Sequence, residues 1–96
     1  MPVFVMLGRD GPRGLELRKQ HRPAHLDNLQ PLDAAGRIRF AGPLLDAEGL
    51  PFGSVVVFEA ADLDEARAVA ASDPYVKAGV FLHYDVHETK TVFPGG

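Results

Sequence analysis

Residues 54–59, SVVVFE, place three β-branched valines and an aromatic residue side by side, with no polar residue between them. A short apolar run of this kind, preceded by Gly53, is typical of a strand that is covered on both faces. Residues 1–7, MPVFVML, show the same pattern and end at Gly8. The sequence therefore predicts two strands whose faces are both apolar.

The segment between these strands indicates helix first and then a hairpin. Leu26, Leu29 and Leu32 recur at three-residue spacing, as on the apolar side of a helix. Pro23 suits the first turn of a helix rather than its interior, because proline has no amide hydrogen. We therefore expect a short helical piece near 13–20, a break, and a main helix over 23–35 that stops at Gly36.

The rest of the chain supplies two more helix starts and two more strands. Asp62 and Glu65 have the spacing of a capping box, in which Glu65 reaches back to the Asp62 amide. The segment SDPYVKAG at 72–79 is a second helix start followed by a glycine stop. The remaining predicted elements are a strand over 37–43 ending at Gly42-Pro43, a hairpin loop over 44–52, and an alternating strand over 80–87.

The resulting order, βαββαβ, predicts an α+β fold of the ferredoxin-like type, with an antiparallel sheet and its helices on one face. The two doubly apolar strands would then leave the other face of the sheet uncovered. A second copy of the chain is the simplest cover, so we expect a homodimer with facing sheets.

Composition excludes several classes of protein. A chain of 96 residues is expected to form one domain over 1–96. The chain has a net charge of −3, and its sequence contains no stripe of basic residues. Both features argue against nucleic acid as a partner. Without cysteine it has no thiol nucleophile or sulfur-ligated metal. No membrane span or signal pattern is visible, so we expect a cytoplasmic protein.

His25 and Asp73 are the first candidates for chemistry. At the opening turn of the predicted main helix, His25 would feel the positive helix end, which favours the neutral imidazole that a general base needs. It could equally be a polar helix residue. Asp73 could orient an imidazole, or simply cap the helix that begins at Pro74. Nothing in their spacing shows that the two residues meet.

His83, Asp85 and His87 alternate along the last strand, so their side chains share one face. Imidazoles and a carboxylate at this period could bind a first-row metal ion with one further ligand. A solvated strand face has the same pattern.

Five residues are candidates for substrate contacts, each with a plainer alternative. Arg18 and Arg22 could bind an anionic substrate or be solvated on a helix. Tyr75 could donate a hydrogen bond into a pocket or be a half-buried core ring. Gly42 and Ser54 bound the predicted hairpin, where turn geometry alone explains glycine.

Several segments together resemble the YCII-related (YciI-like) family, namely RPAHLDNLQPL, GRIRFAGPLLD, GSVVVFEAADLDEARAVAASDPYVKAGVF and the closing KTVF. The resemblance spans nearly the whole chain in order. It implies a dimeric α+β barrel and a site where His25 and Asp73 converge at a cleft. The closing HETKTVF departs from the usual family segment, and the hairpin loop is short, so the resemblance implies no particular substrate.

These observations predict a lyase or isomerase that uses His25 and Asp73 for proton transfer and needs no cofactor or metal. Tyr75, Ser54, Gly42 and Arg22 are expected to contact a small-molecule substrate. We expect the two copies of a dimer to bring the base and its carboxylate into a shared cavity. The alternative is a non-catalytic domain that binds a small ligand in the same pocket.

Overall fold

A computed structural model of the chain describes residues 1–95 and has the predicted α+β architecture. Four strands and three helices follow in the order βαββαβ, with the second helical segment divided in two. The elements are β1 (Val3–Asp10), α1 (Gly14–Ala34), β2 (Ile38–Leu45), β3 (Pro51–Glu59), α2 (Leu63–Ser72), α3 (Pro74–Lys77) and β4 (Phe81–Thr89).

The four strands form one sheet in the order β2-β3-β1-β4, and every neighbouring pair is antiparallel. The two doubly apolar strands are the central ones, β1 and β3, with Met6 opposite Val56 on one side and Val86 on the other. This is the ferredoxin-like topology, so the predicted fold class is confirmed.

One face of the sheet carries the hydrophobic core. Phe4, Met6 and Phe58 are almost wholly buried there, because every second side chain of a strand points to the same face. Ala66 and Ala70, one turn apart on α2, lie in the same core cluster. Their small side chains let this helix lie close to the sheet.

None of the three helices described within residues 1–95 covers the opposite face of the sheet. Val5 pairs with Val57, and Leu7 pairs with Val55, on the two central strands. Leu7 is 42% exposed and Phe40 on β2 is 57% exposed. The uncovered apolar face expected from the sequence is therefore present.

The predicted break before Pro23 is wrong, because α1 runs without interruption from Gly14 to Ala34. A proline inside a helix removes one hydrogen bond and costs about 3 kcal/mol. Buried contacts on both sides of it, by Arg18 and Leu29, keep the helix continuous. His25 consequently lies in the middle of α1, so the expected effect of a helix N-terminus on its imidazole does not apply.

The strands are longer than predicted. β1 continues past Gly8, and β2 continues past the predicted end at Pro43 to Leu45, so the hairpin loop covers only 46–50. Pro43 is tolerated because β2 lies at the edge of the sheet, where a missing amide hydrogen breaks no essential bond.

The predicted helix ends are partly confirmed. Asp62 caps α2 by accepting the Glu65 amide at 2.8 Å, but the Glu65 carboxylate turns to Arg37 instead of the Asp62 amide. Gly36 follows α1 with a φ of 71°, a conformation that glycine adopts without strain. Among residues 1–95, no helix is both long and apolar enough to cross a membrane.

Candidate active site

His25 and Asp73 lie in direct contact, although 48 residues separate them in sequence. The imidazole Nδ1 is 2.8 Å from Asp73 Oδ1 and 3.0 Å from Oδ2. Because a carboxylate only accepts hydrogen bonds, Nδ1 is the donor, and the lone pair of the neutral ring lies on Nε2. The Asp73 residue is 2% exposed, whereas the His25 side chain retains 12% exposure. The geometry therefore offers a proton acceptor at Nε2 and a buried partner behind it.

Asp73 combines the two roles that the sequence left open. It is the N-cap of α3, and its Oδ1 accepts the Tyr75 amide at 2.8 Å. Its backbone is extended at φ −66° and ψ 127°, as expected for the residue before Pro74. The helix cap therefore fixes the carboxylate that holds the imidazole.

Tyr75 fixes the plane of the imidazole. Its ring stacks on His25 with 3.9 Å between centroids and 1° between planes, and Phe81 meets its edge. The Tyr75 hydroxyl donates to the Arg18 carbonyl at 3.4 Å, so the hydrogen bond suggested for a substrate is directed to helix backbone. Burial raises the pKa of Tyr75, which keeps the phenol in its neutral form.

Arg18 forms a buried network beside this pair. Its Nε and Nη2 each donate to the Asp10 carboxylate at 2.8 Å. Nη2 also donates to the Gly53 carbonyl at 2.8 Å and to Ser54 Oγ at 2.9 Å. A Cβ on Gly14 would collide with the Asp10 carboxylate, so the ion pair requires glycine there.

A cavity of about 370 Å³ opens beside His25, between α1 and the β2–β3 hairpin. All the residues proposed from the sequence as substrate contacts line it, and Asp73 lies behind the imidazole. Apolar side chains form much of the remaining wall, among them Leu15, Leu26, Leu29 and Val56. The sequence-predicted residues that line the cavity are His25, Arg22, Tyr75, Ser54 and Gly42.

Arg18, which sequence reasoning left undecided, is 9% exposed and also lines the cavity. The available signal was its spacing from Arg22 and His25, four and seven residues later, which puts all three on one side of a continuous helix. The expected break at Pro23 concealed this alignment.

The cavity and the His25–Asp73 contact belong to a single chain. α1 lies on the covered side of the sheet, whereas the apolar uncovered face is on the other side. The expectation that two copies assemble the base and its carboxylate is therefore wrong. Connections within one chain already bring them together.

His83, Asp85 and His87 do not converge. They are exposed positions of the edge strand β4. Over the described range 1–95, no three His, Asp or Glu side chains are grouped so as to hold a metal ion. They stay separate along one face of β4, opposite Arg9, Leu7 and Val5 of β1.

Comparison with known proteins identifies relatives across almost the full length. A sequence model of the YCII-related domain matches residues 3–90. The chain is 41% identical to Protein YciI of Escherichia coli O6:H1, over 95% of this chain and 99% of that protein. It is also 40% identical to a protein of Emericella nidulans named derivative of benzaldehyde biosynthesis cluster protein C. That match covers 68% of this chain and 74% of that protein.

A solved structure of a relative is similar to this chain in both sequence and fold. It is 5-chloro-2-hydroxyhydroquinone dehydrochlorinase of Burkholderia phenoliruptrix AC1100 in complex with 2,5-dihydroxybenzoquinone. The TM-score is 0.82 at 33% identity, and the match covers 92% of this chain and 93% of that chain.

Proposed function

We propose a lyase or isomerase function for this chain, which belongs to the YCII-related domain family. The observation that carries the proposal is the contact between His25 Nδ1 and the buried Asp73 carboxylate at the wall of a cavity. A positioned imidazole with a carboxylate behind it is a general base whose orientation is fixed and whose charged form is stabilised.

In the proposed reaction His25 Nε2 takes a proton from a carbon or hydroxyl group of the substrate. The electron pair of the broken bond to hydrogen stays on the substrate and is delocalised into a neighbouring carbonyl or ring. From there, either a leaving group departs with its bonding electrons, or the proton held by His25 returns to a different atom of the substrate. The first course is a lyase reaction and the second an isomerisation. Asp73 retains the Nδ1 hydrogen bond throughout and stabilises the imidazolium that forms.

The substrate is proposed to be a small ring compound. A cavity of about 370 Å³ is at the lower end of the usual range for small-molecule sites. The apolar walls of the cavity suit the faces of a ring. Ser54, Arg22 and the backbone near Gly42 offer polar contacts to substituents at the edge of that ring. The 33% identical relative whose structure contains a quinone supports the same class.

We further propose that two copies associate through the uncovered face of the sheet. Val5, Leu7, Val55 and Val57 form its centre, and Phe40 extends it onto β2. Contiguous apolar area of this kind on a small domain favours association with a partner, and an identical copy gives a closed twofold pair. The catalytic pair would then face away from the interface.

The test is chloride release from 5-chloro-2-hydroxyhydroquinone by the purified protein. His25→Gln is expected to lower kcat by about 10²–10⁴-fold, since that is the usual contribution of a positioned acid or base. Asp73→Asn keeps the size of the side chain but removes its charge, and is expected to lower kcat at least about tenfold.

His21→Gln is the matched control, because it makes the same change on the same helix outside the cavity lining. It is expected to leave kcat unchanged. Equal rates in wild type and His25→Gln would overturn the role of His25 as the base. No release by the wild type would overturn the lyase course of the proposal.

A further inference from the structure

The cavity has an unusual balance of charge. Three cationic residues, Arg18, Lys19 and Arg22, line it, and none of its lining residues is Asp or Glu. The whole chain carries a net charge of −3, so this local excess is opposite in sign to the molecule. Within residues 1–95, Lys19 and Arg22 take part in no salt bridge.

Arg18 also has an unused donor. Its hydrogen bonds to Asp10, Gly53 and Ser54 all come from Nε and Nη2, and Nη1 makes none to any described residue. No enclosed side-chain nitrogen or oxygen of the described chain lacks a partner, so Nη1 must retain some accessible surface. Since Arg18 is 9% exposed and lines the cavity, we assign that surface to the cavity.

We propose that the cavity binds a small planar anion, and that Arg18 Nη1 donates to its charged oxygen. Asp10 holds the guanidinium rigidly from behind, so the donor is positioned before the ligand arrives. Lys19 and Arg22 add positive charge at the more exposed side. A carboxylate or phenolate on a single ring has the required charge and shape.

The arrangement along α1 assigns an orientation to the ligand. Arg18 and His25 lie two helical turns apart on one side of the helix, about 10 Å along its axis, with Arg22 between them. The ring of Tyr75 contacts both, stacking on His25 and lying 5.2 Å from the Arg18 guanidinium carbon. The anionic oxygen would therefore lie at the Arg18 end, and the proton to be removed at the His25 end. This orientation, unlike anion binding itself, rests on the proposed function.

The experiment compares benzoate with benzamide, which has nearly the same shape and no charge, by calorimetric titration at pH 7. Benzoate is expected to bind at least about tenfold more tightly, as for a charge-assisted hydrogen bond. Raising the salt concentration should weaken the binding of benzoate but not the binding of benzamide. Arg18→Lys keeps the charge but removes Nη1, and should weaken benzoate at least about tenfold.

Exposed cations contribute less, so Arg22→Gln should weaken benzoate about two- to fivefold. Arg67→Gln, an exposed cation on α2 away from this cavity, should change nothing. If Arg18→Lys does not fold, the Lys19→Gln/Arg22→Gln double variant supplies the measurement. Equal binding of benzoate and benzamide would overturn the proposal. So would wild-type affinity in folded Arg18→Lys or in the Lys19→Gln/Arg22→Gln double variant.

Failure of this proposal is separable from failure of the catalytic one. Benzoate binding is measured in the Arg18 and Arg22 variants, whereas turnover is measured in His25→Gln. If benzoate binds as expected while His25→Gln keeps full turnover, the anion site stands and the base is wrong. If benzoate and benzamide bind alike while His25→Gln loses turnover, the base stands and the anion site is wrong.

Discussion

Tyr75 connects the His25–Asp73 pair to the buried Arg18 network, and its burial makes its ionisation matter at alkaline pH. Burial raises its pKa above the ordinary value of about 10. The folded chain thus holds the phenol proton more tightly than the unfolded chain. The resulting stability is fully present below pH 10 and is lost as the pH rises from 10 through the folded-state pKa.

Tyr75→Phe is therefore expected to reduce the loss of unfolding free energy between pH 9 and pH 12. Urea unfolding at several pH values measures this difference. The tyrosinate absorbance of wild type minus variant gives the Tyr75 titration, expected above pH 10. A difference titration at or below pH 10 would contradict the burial argument.

At the level of residues, local patterns could identify the candidate types but not their contacts, and only the family resemblance implied that His25 and Asp73 meet. His25 and Asp73 were identifiable because one precedes a leucine stripe and the other precedes Pro74. Their meeting depends on how α1 packs beside the α2–α3 junction, which no local pattern encodes. Arg18 was harder, because an arginine on a helix is usually solvated and its burial requires Asp10 from another element.

α1 contains Pro23 in its interior, where proline is normally unfavourable. A proline within a helix costs about 3 kcal/mol relative to alanine, because one hydrogen bond is lost and the ring presses on the preceding turn. Pro23→Ala is expected to raise the free energy of unfolding by about 1–3 kcal/mol, measured by urea unfolding.

Pro12→Ala is the contrasting control. Pro12 lies in the turn closed by the Gly14 amide on the Gly11 carbonyl at 3.0 Å, where proline fits the backbone. This change should lower stability by up to about 1 kcal/mol, because the unfolded chain gains freedom. If Pro23→Ala has the same free energy of unfolding as wild type or a lower one, proline at position 23 does not destabilise α1 and the prediction is wrong.

At the level of elements, sequence patterns predicted which segments form helices and strands better than where they end. The central strands and the Asp62 cap were readable from local composition. The continuation of β2 past Pro43 to Leu45 was not, because it depends on β2 occupying an edge of the sheet. The continuity of α1 was also not readable, since long-range packing outweighs the local effect of Pro23.

For the whole molecule, the need to cover apolar surface links the sequence to the proposed dimer. The central strands are apolar on both faces, but the helices of one chain cover only one. Leu7, on the uncovered face, is 42% exposed, and Leu50, in the hairpin loop, is 43% exposed. These two leucines differ in location rather than exposure, so they form a matched pair for testing association.

Leu7→Lys is expected to convert a dimer into a monomer at micromolar concentration, because the interface would have to bury two ammonium groups related by symmetry. Leu50→Lys should remain dimeric, since the loop lies outside the proposed interface. Sedimentation equilibrium measures both masses against wild type. A monomeric wild type, or two variants that associate equally well, would show that water rather than a second copy covers this face. Because the cavity lies within one chain, monomeric Leu7→Lys should still bind benzoate if its fold is retained.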